Sequence, residues 1–120
     1  MFKVTLADRP EFLAGDETRL REIFHPAKHQ LNLNYSLAHG TLPSGQRSKC
    51  HVLASSEVYY FISGRGRFTI DGYVTLIEAG TTIYVPPGWQ QFVENTGETD
   101  IEFLCFVDPA WRMEDEAILE

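Results

Sequence analysis

Glycine and proline recur along this chain at short, even intervals. Gly15, Pro26, Gly40, Pro43, Gly45, Gly64, Gly66, Gly72, Gly80, the run Pro86-Pro87-Gly88, Gly97 and Pro109 divide it into pieces of about 5 to 15 residues. Inside a helix, glycine costs about 1 kcal/mol relative to alanine and proline about 3. Such punctuation excludes a helical bundle and leaves short strands joined by turns.

Several pieces carry strand patterning. In 31–39, Leu31, Leu33, Tyr35 and Leu37 alternate with Asn32, Asn34, Ser36 and Ala38, which predicts a half-buried strand. The β-branched and aromatic run Val58-Tyr59-Tyr60-Phe61-Ile62 predicts a strand over 57–63 buried on both faces, and 101–107 reads the same way. Shorter strands are expected at 2–6, 66–71, 73–77, 82–85 and 90–95, with 18–24 ambiguous between strand and helix. The only clear helical pattern is Arg112 to Leu119, two turns at most. About nine short strands in 120 residues make one all-β domain, a sandwich or a barrel. At about 150 residues per domain there is no room for a second.

Charge narrows the partners. Lysine and arginine number 10 against 17 aspartates and glutamates, a net charge of −7. An acidic chain lacks the clustered cations that nucleic-acid phosphates or an anionic membrane surface require. No apolar run approaches the roughly 18 residues of a spanning helix, and Met1 to Asp8 is too polar for a signal peptide. Cys50 and Cys105 form no framework or CxxC pair. Reduced thiols in the cytoplasm are therefore expected.

Nucleophile motifs are absent: there is no GxSxG, no HExxH and no phosphate loop with lysine. Gly64-Arg65-Gly66 starts like a dinucleotide fingerprint but lacks the third glycine and the following helix, and so predicts a tight hairpin turn.

The stretch from Gly45 to Asn95 holds a more specific pattern. Gly45 is followed by five residues and His51, then by Glu57, and six residues later by Gly64. Gly80 is followed by five residues, then Pro86-Pro87-Gly88, two residues, Gln91, three residues and Asn95. These frames, at 45–64 and 80–95, resemble the two motifs of the cupin superfamily, in small single-domain form. The resemblance implies one cupin domain over 1–120, an antiparallel double-stranded β-helix or jelly-roll barrel with a short C-terminal helical turn, often a homodimer, with a site inside the barrel.

The departures from the motif bear on chemistry. Metal-binding cupins supply three histidines and a glutamate. Here His51 and Glu57 match, Leu53 stands at the second histidine position and Gln91 at the third. Leucine cannot coordinate; an amide oxygen is a weak neutral donor. His39 is in phase with Leu31, Leu33, Tyr35 and Leu37, so if those residues face the interior it does too. A set of His39, His51, Glu57 and Gln91 suits a divalent ion, Mn, Fe, Ni, Co or Zn, without choosing among them. Tyr35, Leu53, Tyr59 and Phe61 are the candidate pocket walls. Against this stand blander roles: a residual His51–Glu57 hydrogen-bonded pair, Gln91 as a buried structural amide, His39 on the surface or at a dimer contact, and the aromatics as core. His25 and His29 are read as surface residues, and the acidic tail from Glu114 as a solvated face.

Three functions are open at this point. The first is a metal-dependent cupin acting on a small polar molecule such as a sugar, a carboxylic acid or a dicarbonyl. The second is a metal-free isomerase or epimerase using His51 or His39 as base and Tyr59 or Tyr35 as donor. The third is a non-catalytic module for a small ligand. A homodimer is expected on separate grounds, because exposed edge strands need covering.

Overall fold

The turns marked by glycine close the strands into two antiparallel sheets, described for all of residues 1–120 by a computed structural model. In chain order the strands are β1 (Glu11–Leu13), β2 (Arg19–Phe24), β3 (Ser36–Leu42), β4 (His51–Leu53), β5 (Ser56–Ser63), β6 (Gly66–Ile70), β7 (Tyr73–Ile77), β8 (Thr82–Val85), β9 (Gln91–Asn95), β10 (Ile101–Asp108) and β11 (Glu116–Ile118). One sheet has the order β1-β2-β3-β10-β5-β8, the other β11-β4-β9-β6-β7. The two face each other as an all-β jelly-roll barrel. A single helical turn, α1 (Pro26–His29), starts at proline with His25 as its N-cap. No helix is long and apolar enough to cross a membrane.

Local chemistry explains the strongest connections. Asp71 and Gly72 both have positive φ, 46° and 85°, and join β6 to β7 as a two-residue hairpin turn. Gly64 departs from expectation. Its φ is 92°, but β5 and β6 lie in different sheets, so Gly64-Arg65 is a corner between sheets and not a hairpin. A Cβ on Gly64 would meet Asp100 O at 2.6 Å.

Three other expectations are corrected. The strand predicted over 31–39 runs from Ser36 to Leu42 instead, because Gln30 ends α1 in the left-handed region and the ladders begin only at Ser36 with β10 and at Leu37 with β2. No strand forms over 2–6, where Leu6–Asp8 is a 3-10 turn. The C-terminal pattern makes one 3-10 turn, Met113–Asp115, and then β11, because pairing with β4 outweighs a weak local helical preference. The ambiguous 18–24 segment is strand.

β5 and β10 are buried on one face only. Glu57, Tyr59 and Phe61 point inward, while Tyr60 and Ile62 are exposed. The apolar core fills one end of the barrel with Leu42, Phe61, Phe68, Ile101 and Phe103 among others. Tyr59 stacks on Phe61 at 5.8 Å and meets Phe68 edge-on at 5.0 Å, and so caps this core. Beyond Tyr59 the barrel is not filled.

Candidate functional site

The unfilled end is a cavity of about 340 Å³. Short strands aim its polar groups. β4 alternates, so His51 and Leu53 point inward together. β9 begins at Gln91, which pairs with His51 across the ladder. β5 contributes Glu57 and Tyr59. Facing β4 and β9 from the six-stranded sheet stand Leu20, Ala38, Phe103 and Val107, which make that wall apolar beside Glu57.

Besides Glu22 at the rim, two further carboxyl groups line the cavity, and neither belongs to the motif frames. Asp16 lies in the β1–β2 loop, held where Lys49 N donates to its carbonyl at 2.7 Å. Its Oδ1 accepts from Thr18 N at 3.1 Å and Thr18 Oγ1 at 2.7 Å. The Asp-x-Thr spacing was a visible turn signal, but nothing local says where that turn docks. Glu116 arrives on β11, within the tail read as solvated; its strand pairs Glu116 with Leu53 and Ile118 with His51.

A hydrogen-bond chain ties the motif residues together. Tyr59 OH donates to Gln91 Oε1 at 2.8 Å, and Gln91 Nε2 donates to Glu57 Oε1 at 2.9 Å. His51 Nδ1 lies 3.0 Å from Lys49 O and 3.7 Å from Asp16 Oδ2. Both neighbours are acceptors, so Nδ1 carries the proton, and Nε2 is left for the cavity as an acceptor in the neutral ring.

Burial sets the proton affinities. Desolvation pushes the Glu57 carboxyl up to about 7, and the Asp16 charge adds to it; His51 and the Gln91 hydrogen bond pull the other way. Glu116 is raised by partial burial, again opposed by His51. Burial, reinforced by the Glu57 charge, pushes Tyr59 and Cys105 well above their ordinary values, so both stay protonated near neutrality.

Not all the expected residues meet. His51, Glu57, Gln91, Leu53 and Tyr59 come together. Phe61 lies behind Tyr59 in the core rather than in the wall. Tyr35 precedes β3 and packs on the outward-facing Phe106 at 6.3 Å. His39 points outward as well, its Nε2 3.1 Å from Glu102 Oε1. In β3 it is the even positions, Ser36, Ala38, Gly40 and Leu42, that face inward. Ser36, Ala38 and Gly40 are small because the cavity and the Phe103 ring occupy that space, so the larger odd residues misreported the inner face. His25, expected at the surface, is buried, its Nε2 2.8 Å from Trp111 O.

The donor set does not fit a resident metal of the kind metal-binding cupins hold. Leu53 fills one ligand position. Both ends of the Gln91 amide are engaged in hydrogen bonds, and His39 is on the opposite face of the sheet. His51, Asp16, Glu57 and Glu116 share the cavity, but no three histidine, cysteine or carboxylate side chains come close enough together to hold one ion.

Comparison with known proteins agrees with the fold. The cupin domain family matches residues 38–107. An uncharacterized protein of Methanocaldococcus jannaschii is 34% identical over 110 residues, spanning 91% of this chain and 87% of the relative. The oxalate-binding protein of Thermotoga maritima is 39% identical over 67 residues, 55% of each chain. The crystal structure of a predicted oxalate decarboxylase from Thermotoga maritima superposes with a TM-score of 0.78 at 25% identity, covering 90% of this chain and 99% of that one.

Proposed function

The chain belongs to the cupin family, and on that premise we propose that it binds a small polar molecule in the barrel cavity without a resident metal. The observation that carries this reading is the Tyr59–Gln91–Glu57 chain, which spends the amide of the third motif position on protein partners. The cavity of about 340 Å³ lies within the size range of small-molecule sites. Oxalate binding, named for the Thermotoga relative, is not carried over here. No arginine lines this cavity, and its one lysine, Lys28, is 2.7 Å from Glu22 at the rim. A dianion with neither metal nor guanidinium to receive it would sit unpaired in a buried site.

The test is a thermal-shift screen of small sugars, amines and acids on protein stripped with chelator, with metal content measured before and after. Ligand stabilisation that survives stripping supports the reading. Stabilisation that requires added Mn, Fe, Co, Ni or Zn overturns it.

A second reading, proton transfer of the isomerase kind, draws on one specific observation. Lys49 O and Asp16 fix the imidazole so that Nε2 faces the cavity as a base. Tyr59 is a poor donor for this role, because its hydroxyl is given to Gln91. Glu57 in its protonated form is the donor that remains. Deuterium incorporated from D2O into a bound ligand, and lost in His51→Ala, is the expected sign. A ligand that binds but never exchanges leaves binding alone.

We further propose that the chain forms a homodimer through the outer face of the six-stranded sheet. There Tyr60, Ile62 and Tyr84 are exposed beside Leu104 and Phe106.

A further inference from the structure

We infer that the cavity selects a ligand with an ammonium head group on a compact apolar body, in preference to a carboxylate or a neutral alcohol of the same shape. The inference rests on the binding reading above and adds the chemical class of the ligand.

The polar groups around the cavity are almost all hydrogen-bond acceptors. Asp16, Glu57 and Glu116 supply three carboxyl groups, and His51 presents Nε2. His51 is 3% exposed, lines the cavity and has no partner within the chain for that nitrogen. The ring is buried and Nε2 opens onto the cavity, where a ligand donor can displace water from it. Apart from the Ser36 hydroxyl and Glu57 in its protonated form, the donors that could balance these acceptors are already used, the Trp111 side chain on Glu116 among them. Tyr59 OH goes to Gln91, the Gln91 amide goes to Glu57, and both Thr18 donors go to Asp16.

Charge points the same way. Lys28 is the only lysine or arginine on the cavity wall and is matched by Glu22 at 2.7 Å. A protonated His51 would still face two carboxylates, Asp16 and Glu116, with Glu57 holding its proton. An ammonium group brings three N–H donors and a positive charge to such a place. An alcohol brings one donor and no charge, and a carboxylate brings further acceptors and repulsion. The wall facing His51, made of Leu20, Ala38, Phe103 and Val107, offers apolar surface to the rest of the molecule.

Three probes that share one cyclohexyl body separate these cases: cyclohexylamine, cyclohexanol and cyclohexanecarboxylate, titrated into the chelator-treated 120-residue chain by calorimetry at fixed salt. Cyclohexylamine is expected to bind tighter than the carboxylate by about tenfold or more, with cyclohexanol between them. Glu116→Gln is expected to weaken the amine about fivefold while leaving cyclohexanol within about twofold, a contrast that a general structural defect would not produce. Asp16→Asn, which keeps an oxygen for Thr18, serves as the second variant if Glu116→Gln folds poorly. Equal or tighter binding of the carboxylate or alcohol overturns the ammonium preference and leaves the cavity a binding site. Failure of all three probes at millimolar concentration overturns the binding reading with it.

Discussion

Gln91 donates its amide N–H to Glu57 Oε1 at 2.9 Å while its own carbonyl accepts Tyr59 OH at 2.8 Å. All three side chains are at least nine-tenths buried. One neutral side chain thus satisfies a carboxyl group and a phenol, a task that a metal-ligating histidine could not perform while also coordinating.

Gln91→Leu leaves a buried carboxyl and a buried hydroxyl short of a partner. Each such loss costs about 1 to 3 kcal/mol, so unfolding stability should fall by roughly 2 to 4 kcal/mol. Urea denaturation at constant pH measures it, and a change below about 0.5 kcal/mol would mean that water replaces the amide.

Glu57 makes stability depend on pH. Its carboxyl titrates near 7 when folded and near 4.5 in the ordinary state, so between those values the folded protein holds a proton that the unfolded chain has lost. The stabilisation is fully present below about pH 4.5, declines as pH rises and is gone above about 7. At about 1.4 kcal/mol per pH unit, the difference is roughly 3 kcal/mol. Denaturant midpoints from pH 5 to 8 should show this decline in the native chain. In Glu57→Gln the decline should largely vanish, and a persisting slope would assign it to another group.

Gly40 faces the Phe103 ring so closely that an added Cβ would stand 2.1 Å from its nearest atom. Gly40→Ala is expected to cost about 1 to 3 kcal/mol by overpacking. Phe103→Leu in the same chain should return part of that loss, and strict additivity in the double-mutant cycle would refute the contact as the cause.

The outer face of the six-stranded sheet exposes Ile62 and Tyr84. If a second copy covers it, Ile62→Lys should convert a dimer to a monomer in light scattering without altering far-UV dichroism. A native chain that is monomeric at about 100 μM, below which most stable dimers have formed, removes the proposal.

Much of the fold was legible because turn chemistry is local. Asp71-Gly72 specifies its hairpin wherever it occurs, and the motif spacings brought His51, Glu57 and Gln91 to one place. Inner and outer faces were less legible. Period-two alternation shows that Leu37 and His39 share a face, but not which face. In β3 the inner side carries the small Ser36, Ala38 and Gly40 ahead of Leu42, because the cavity and the Phe103 ring from β10 take up the space there.

The sequence by itself determined an all-β barrel, its main turns and the core of its polar cluster, since these follow from backbone preferences and short-range spacing. Only the tertiary structure decided that His39 looks outward to Glu102, and that Asp16 and Glu116, from the two ends of the chain, stand beside His51. Those neighbours are 35 and 65 positions away in sequence. Their meeting depends on a loop clipped to Lys49 and on a terminal strand added to β4. Both are long-range backbone pairings that no local pattern encodes.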